Sequence, residues 1–180
     1  MRRDTTVAGV GFWFLVMAFL ALMIGRARAD VPAAPGSAAA WKQFHGKLVF
    51  SDILIAQPAQ FQSGDQMVEA LNRLKRTAVQ GTDGFWRMHM VAFLDPVPQT
   101  TNFRLRATDV TRPQDRREVK VFEISGEPGQ VELAINDLVL TEVMGFERGH
   151  RYEIAILPGG EDVPPAGKDD VYAKGVITLM

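Results

Sequence analysis

Residues 102–110, NFRLRATDV, alternate without a slip. Phe103, Leu105 and Ala107 fall on one side, and Arg104, Arg106 and Thr108 fall on the other. Successive side chains of a strand point to opposite faces. A period of two with one charged side therefore marks an antiparallel sheet that is wet on one face and packed on the other. Residues 130–135 repeat the pattern through Val131, Leu133 and Ile135, and the pair Asn136 and Asp137 reads as a bulge or turn before residues 138–140. Residues 47–56 and 85–94 are apolar on both faces and read as interior strands, and residues 118–124, 152–157 and 171–179 bring the set to seven. Turn signals separate them at Asp95-Pro96, Arg112-Pro113, residues 126–129 and residues 158–160.

One helix interrupts the strands. Met67, Leu71, Leu74 and Ala78 recur at helical spacing, Ser63 or Asp65 supplies the cap, and Gly81 supplies the stop. Strands do not alternate with helices along the chain, which argues against a parallel doubly wound sheet. Seven short strands with regular turns predict an all-β fold: an antiparallel seven-stranded sandwich with one short helix between its first two strands, preceded by an N-terminal signal helix. This layout resembles immunoglobulin-like architecture in general, although the Cys–Trp–Cys hallmark is absent. A small barrel is the rival arrangement.

Residues 7–25 contain no charged side chain, follow Arg2 and Arg3, and precede Ala27-Arg28-Ala29. A basic start, an apolar run of about 7–15 residues and a small-x-small site define a secretory signal. Ala27 and Ala29 place the cut before Asp30. The run also approaches the length of about 20 residues that a membrane-spanning anchor needs, and Arg26 and Arg28 fit neither outcome well, because basic residues favour the cytoplasmic side. The expected domains are 1–29 as signal peptide or signal anchor, 30–40 as a flexible linker of Pro, Gly, Ser and Ala, and 41–180 as the folded domain. The chain has no cysteine, which excludes disulfides, thiolate metal sites, a cysteine nucleophile and a lipid-modified N-terminal cysteine. The net charge is −1, and no block of Lys and Arg stands out, as nucleic-acid binding would require.

Several sets of residues invite a chemical reading. His45, His89 and His150 do not form a short metal-ligand pattern. Met88-His89-Met90 offers soft ligands of the kind copper accepts, but strand geometry sends Met88 and Met90 to one side and His89 to the other. That side also carries Trp86, Ala92 and Leu94, so it reads as core. Ser37, Ser51, Ser63 and Ser125 lie outside any Gly-x-Ser-x-Gly elbow. Residues 158–170 gather Glu161, Asp162, Asp169 and Asp170, oxygen ligands that suit calcium. The calcium-loop spacing is missing and Lys168 intrudes, so the segment reads as an acidic hairpin loop and as a surface recognition tip. Trp41, Trp86 and Tyr172 could form a sugar-stacking platform, but Trp86 reads as core, and one exposed aromatic is not a platform.

No catalytic, cofactor-binding or metal-binding residue is assigned on these grounds, and no cofactor is expected. The expectation is an exported cell-envelope protein of the periplasm or cell exterior, not an enzyme, acting as a binding or structural module. Its partner would be another envelope protein or a surface polymer, with no nucleic acid and with membrane contact only through an uncleaved N-terminal segment. Two alternatives remain: a periplasmic copper- or calcium-handling protein, and an accessory subunit of an envelope complex anchored in the inner membrane and facing the periplasm.

Overall fold

The computed structural model describes residues 37–55, 61–160 and 170–180. Every described residue belongs to one compact unit of the chain. The signal segment with Ala27, Ala29 and Asp30 lies outside the described residues, as do Glu161, Asp162 and Asp169 of the acidic loop. Among the described residues no helix is long and apolar enough to cross a membrane.

The strands are β1 (Lys47–Ser51), β2 (Thr77–Ala78), β3 (Trp86–Phe93), β4 (Asn102–Asp109), β5 (Arg117–Ser125), β6 (Glu132–Leu140), β7 (Arg151–Pro158) and β8 (Ala173–Leu179). They do not form a sandwich. All eight join one mixed sheet, ordered β5-β4-β7-β8-β1-β3-β6 with β2 also on β8, and the sheet curls into a half-barrel. Pairing is antiparallel except where β8 meets β1 (Lys47 beside Lys174) and β2 (Thr77 beside Thr178). Those parallel contacts between the first and last parts of the chain overturn the two-sheet expectation. They weld β5-β4-β7-β8 to β1-β3-β6, leaving no second sheet to stack.

Gly175 permits that weld. A Cβ there would lie 2.7 Å from the Leu48 carbonyl oxygen and 2.7 Å from the Phe50 ring. Only a hydrogen allows the β1 backbone to come so close. Each outer edge is irregular, which discourages pairing with another chain. On β6, Asn136 and Asp137 together oppose His89, with Asp137 at φ 56, so the expected bulge is present. On β5, the register slips at Val119 between Ala107 and Thr108 of β4.

The alternation read from the sequence sets the packing. Phe103, Leu105 and Ala107 are fully buried in the main core with Trp86, Met88, Met90, Ala92 and Leu94. Fully burying a side chain of this size contributes about 1.5–3 kcal/mol. Val91 and Phe93 face the other way, beneath two helices, α1 (Ser37–Phe44) and α2 (Gly64–Asn72). Phe44 stacks on Phe93 at 5.5 Å, and Met67 and Leu71 complete this second cluster. That explains why β3 is apolar on both faces.

Ser63 caps α2, its hydroxyl accepting from the Gln66 amide. The helix stops at Asn72 rather than running to Gly81, because residues 77–78 leave the helical path to pair with β8. Helix α1 takes in the last four residues of the segment read as linker. Alanine is the strongest helix former, and Ala40 is fully buried against the second cluster.

Candidate functional site

Among the described residues no helix covers the outer face of β5, β4, β7 and β8, which is built in rows. In the central row, Val121 of β5 lies beside Arg106 of β4, Arg106 beside Ala155 of β7, and Ala155 beside Lys174 of β8. Two strand spacings put the Arg106 and Lys174 backbones roughly 10 Å apart, and only the methyl of Ala155 stands between them. Ala155 is 2% exposed although it faces outward, because it forms the floor between two long side chains. The row on one side holds Glu123, Arg104 and Leu157, and the row on the other holds Glu118, Thr108, Glu153 and Val176.

The flanking rows hold ion pairs. Arg104 donates through Nε to Glu123 at 3.2 Å and through Nη2 to the Gly160 carbonyl at 3.2 Å. Arg116 bonds Glu153. The central row does not. Among the described residues, neither the buried Arg106 Nε nor the Lys174 ammonium has a hydrogen-bond partner. An unmet buried donor costs about 1–3 kcal/mol. These groups line an open depression of about 710 Å³ bounded by Arg106, Thr108, Arg116, Glu118, Lys174 and Val171, with Glu153 and Ala155 on its floor. That volume lies within the range of about 300–1,000 Å³ typical of small-ligand sites. Glu118 is the one rim carboxylate with no partner among the described residues.

A second polar cluster lies at the end of β4. His150 Nδ1 is 2.7 Å from Asp109 Oδ2, and Nε2 is 3.4 Å from Glu147 Oε2. Asp109 Oδ1 accepts from the Thr111 amide at 2.8 Å. Burial pushes the Asp109 carboxyl up, but hydrogen bonds from Thr111 and His150 outweigh it and hold the carboxyl below its ordinary value. The Glu147 amide donates to the Tyr152 hydroxyl at 2.7 Å, and the Tyr152 ring packs edge-on to Phe146 at 5.0 Å. Burial raises the Tyr152 hydroxyl above its usual value. Gly149, at φ 81, lets the turn bring its amide to the Leu179 carbonyl. A pocket of about 200 Å³ beside this corner is lined by Asp109, Arg112, Arg117, Glu147 and His150. Here carboxylates, imidazole and amides satisfy one another, and the cluster ties the ends of β4 and β7 together.

The three histidines are held separately. His45 bonds Asp95 at 2.9 Å, His89 accepts from the Asp137 amide in the β6 bulge at 3.3 Å, and His150 bonds Asp109. Among the described residues no group of three His, Asp or Glu side chains could hold a metal. Met88 and Met90 face the core, and His89 faces outward. Ser51 is buried and accepts from the Ile53 amide, and Ser63 is a cap. Trp86 is buried with its indole donating to the Met180 carbonyl, Trp41 donates to the Leu94 carbonyl, and Tyr172 meets Phe103 edge-on. With Trp86 in the core, the three aromatics form no platform. Asp170 is the only member of the acidic-loop set among the described residues, so the recognition-tip reading lies mostly outside them.

Sequence reading placed Arg106 on the wet face but gave no reason to select it. Its pairing with Lys174 depends on strand order, which no local pattern carries. Compared with family models, curated proteins and solved structures, the chain matches none.

Proposed function

We propose that this chain is an exported cell-envelope protein whose β domain is a non-catalytic binding module, engaging its ligand on the outer face of β4, β7 and β8. The observation that carries the reading is the central row, where Arg106 Nε and the Lys174 ammonium, without partners among the described residues, flank an alanine floor, while beside it Arg104 is engaged with Glu123 and Glu153 with Arg116. Export is supported by the uncharged run at residues 7–25 and the small residues Ala27 and Ala29 ahead of Asp30. Cleavage there would release the domain into the periplasm or beyond. Retention would tether the same domain to the inner membrane, as suits an accessory subunit.

The test is co-sedimentation of the chain from Asp30 onward with envelope fragments of the source cell. Saturable binding that falls when Arg106 and Lys174 are both changed to Gln is the expected result. Binding indifferent to both residues, or turnover of an ester, glycoside or peptide that one point substitution abolishes, would sink the reading.

A further inference from the structure

We infer that the notch between Arg106 and Lys174 is an oxyanion-binding site, taking a carboxylate or phosphate group of the ligand; the inference rests on the binding-module reading and specifies its chemistry. The Arg106 guanidinium holds a buried Nε–H with no acceptor among the described residues. A guanidinium and an ammonium flanking a small floor form a two-sided clamp for an anion: Arg offers a planar fork and Lys a mobile point charge. The row continues across β1, where Lys47 lies beside Lys174. The Lys47 ammonium is already engaged with the Gln43 carbonyl, so it adds positive potential without competing for the anion.

Among the described residues, the glutamates beside the notch do not fill it. Glu123 is taken by Arg104 and Glu153 by Arg116. Glu118 sits one row away, opposite Thr108 and beside the Val119 bulge. It leaves the anion room and penalises a ligand carrying negative charge on that side, which gives the site a direction. Ala155 and Val171 supply the apolar contact in the depression. The site therefore suits a ligand with one anionic end and a less polar body, whether a free organic acid or phosphate, or a charged unit of an envelope polymer.

The test is isothermal titration of the full chain, purified in mild detergent, with three probes: inorganic phosphate, succinate and polygalacturonate. Saturable heat with at least one probe is expected, with Kd raised at least about tenfold by Arg106→Gln and raised also by Lys174→Gln. Arg106→Lys should fall between Arg106→Gln and the parent, since it keeps charge and loses the fork. Melting curves of all variants confirm that each is folded, and Lys174→Gln, on an exposed side chain, guards against a failure of the Arg106 variants to fold. Binding of phosphate or succinate points to a small free anion, and binding of polygalacturonate alone points to a polymer. No heat with any probe, or equal heat in parent and variants, overturns the inference. Loss of anion binding with envelope co-sedimentation intact leaves the binding-module reading standing. The reverse outcome removes that reading and keeps the anion site.

Discussion

The weld between the two halves of the sheet gives the sharpest prediction about the fold. In Gly175→Ala the new methyl group would meet the Leu48 carbonyl oxygen and the Phe50 ring, each at 2.7 Å, and the Leu48 Cβ at 3.0 Å. Two of these three atoms belong to β1 at Leu48, which is held by β3 through Leu48 and Ala92, so the backbone cannot step aside alone. Overpacking of this kind costs about 1–3 kcal/mol. Gly175 does not have positive φ, so alanine suits its backbone and recovers about 0.4–1 kcal/mol by restricting the unfolded chain. The net loss should be about 1–2 kcal/mol. For a domain near 150 residues that corresponds to a fall in Tm of about 2–8 °C. Urea denaturation at unchanged m-value, alongside thermal melting, measures it. A variant as stable as the parent, or more stable, would mean that only the entropy term operates and that β1 and β8 are not in close contact.

Three further outcomes follow from the core and the His150 corner. Met88→Leu with Met90→Leu should cost less than about 1.5 kcal/mol for each exchange, because both side chains fill core space; a larger loss in a denaturant titration would mean that the thioethers do more than pack. Asp109→Asn should weaken the acid limb of the stability profile. The depressed carboxyl contributes stability that is present above its unfolded pKa of about 3.9 and is lost as pH falls through the lower folded value, so pH-dependent melting below pH 5 should be flatter in the variant, and an unchanged limb would contradict the assigned bonds. Tyr152→Phe removes the acceptor of the Glu147 amide and should cost about 1–2 kcal/mol. Because burial raises the Tyr152 hydroxyl, the parent should also lose stability as pH rises through about 10 and above, and Tyr152→Phe should lose less there.

Much of the local structure was legible because it is decided by near neighbours. Phe103, Leu105 and Ala107 announce their face through alternation, Met88 and Met90 through the same rule, and Ser63 through its place before an apolar stripe. Asn136 and Asp137 mark the bulge, since a short polar pair tolerates the left-handed backbone that Asp137 adopts. The assembly of those strands was not legible. Whether β1 stops at β3 or also meets β8 is decided at Gly175, a residue more than a hundred positions from β1, and period two is the same in a sandwich and in a curled sheet. Thr77 and Ala78 looked helical because a spacing of four happened to extend the stripe past Asn72. Ala38, Ala39 and Ala40 looked like linker because small side chains show no amphipathic pattern until a partner surface is known. The candidate site was hidden for the same reason: Arg106 and Lys174 become a pair only once β7 lies between β4 and β8.

The claim that this outer face binds an anion is tested most directly by the arginine Nε–H signals in a two-dimensional nitrogen–proton spectrum during titration with inorganic phosphate. Arg106 Nε–H has no acceptor among the described residues, whereas Arg104 Nε–H already bonds Glu123. The Arg106 signal should move saturably while the Arg104 signal holds still, and Lys174→Gln should shift the midpoint to higher phosphate. An unmoved Arg106 signal, or arginine signals that drift together without saturating, would contradict the account.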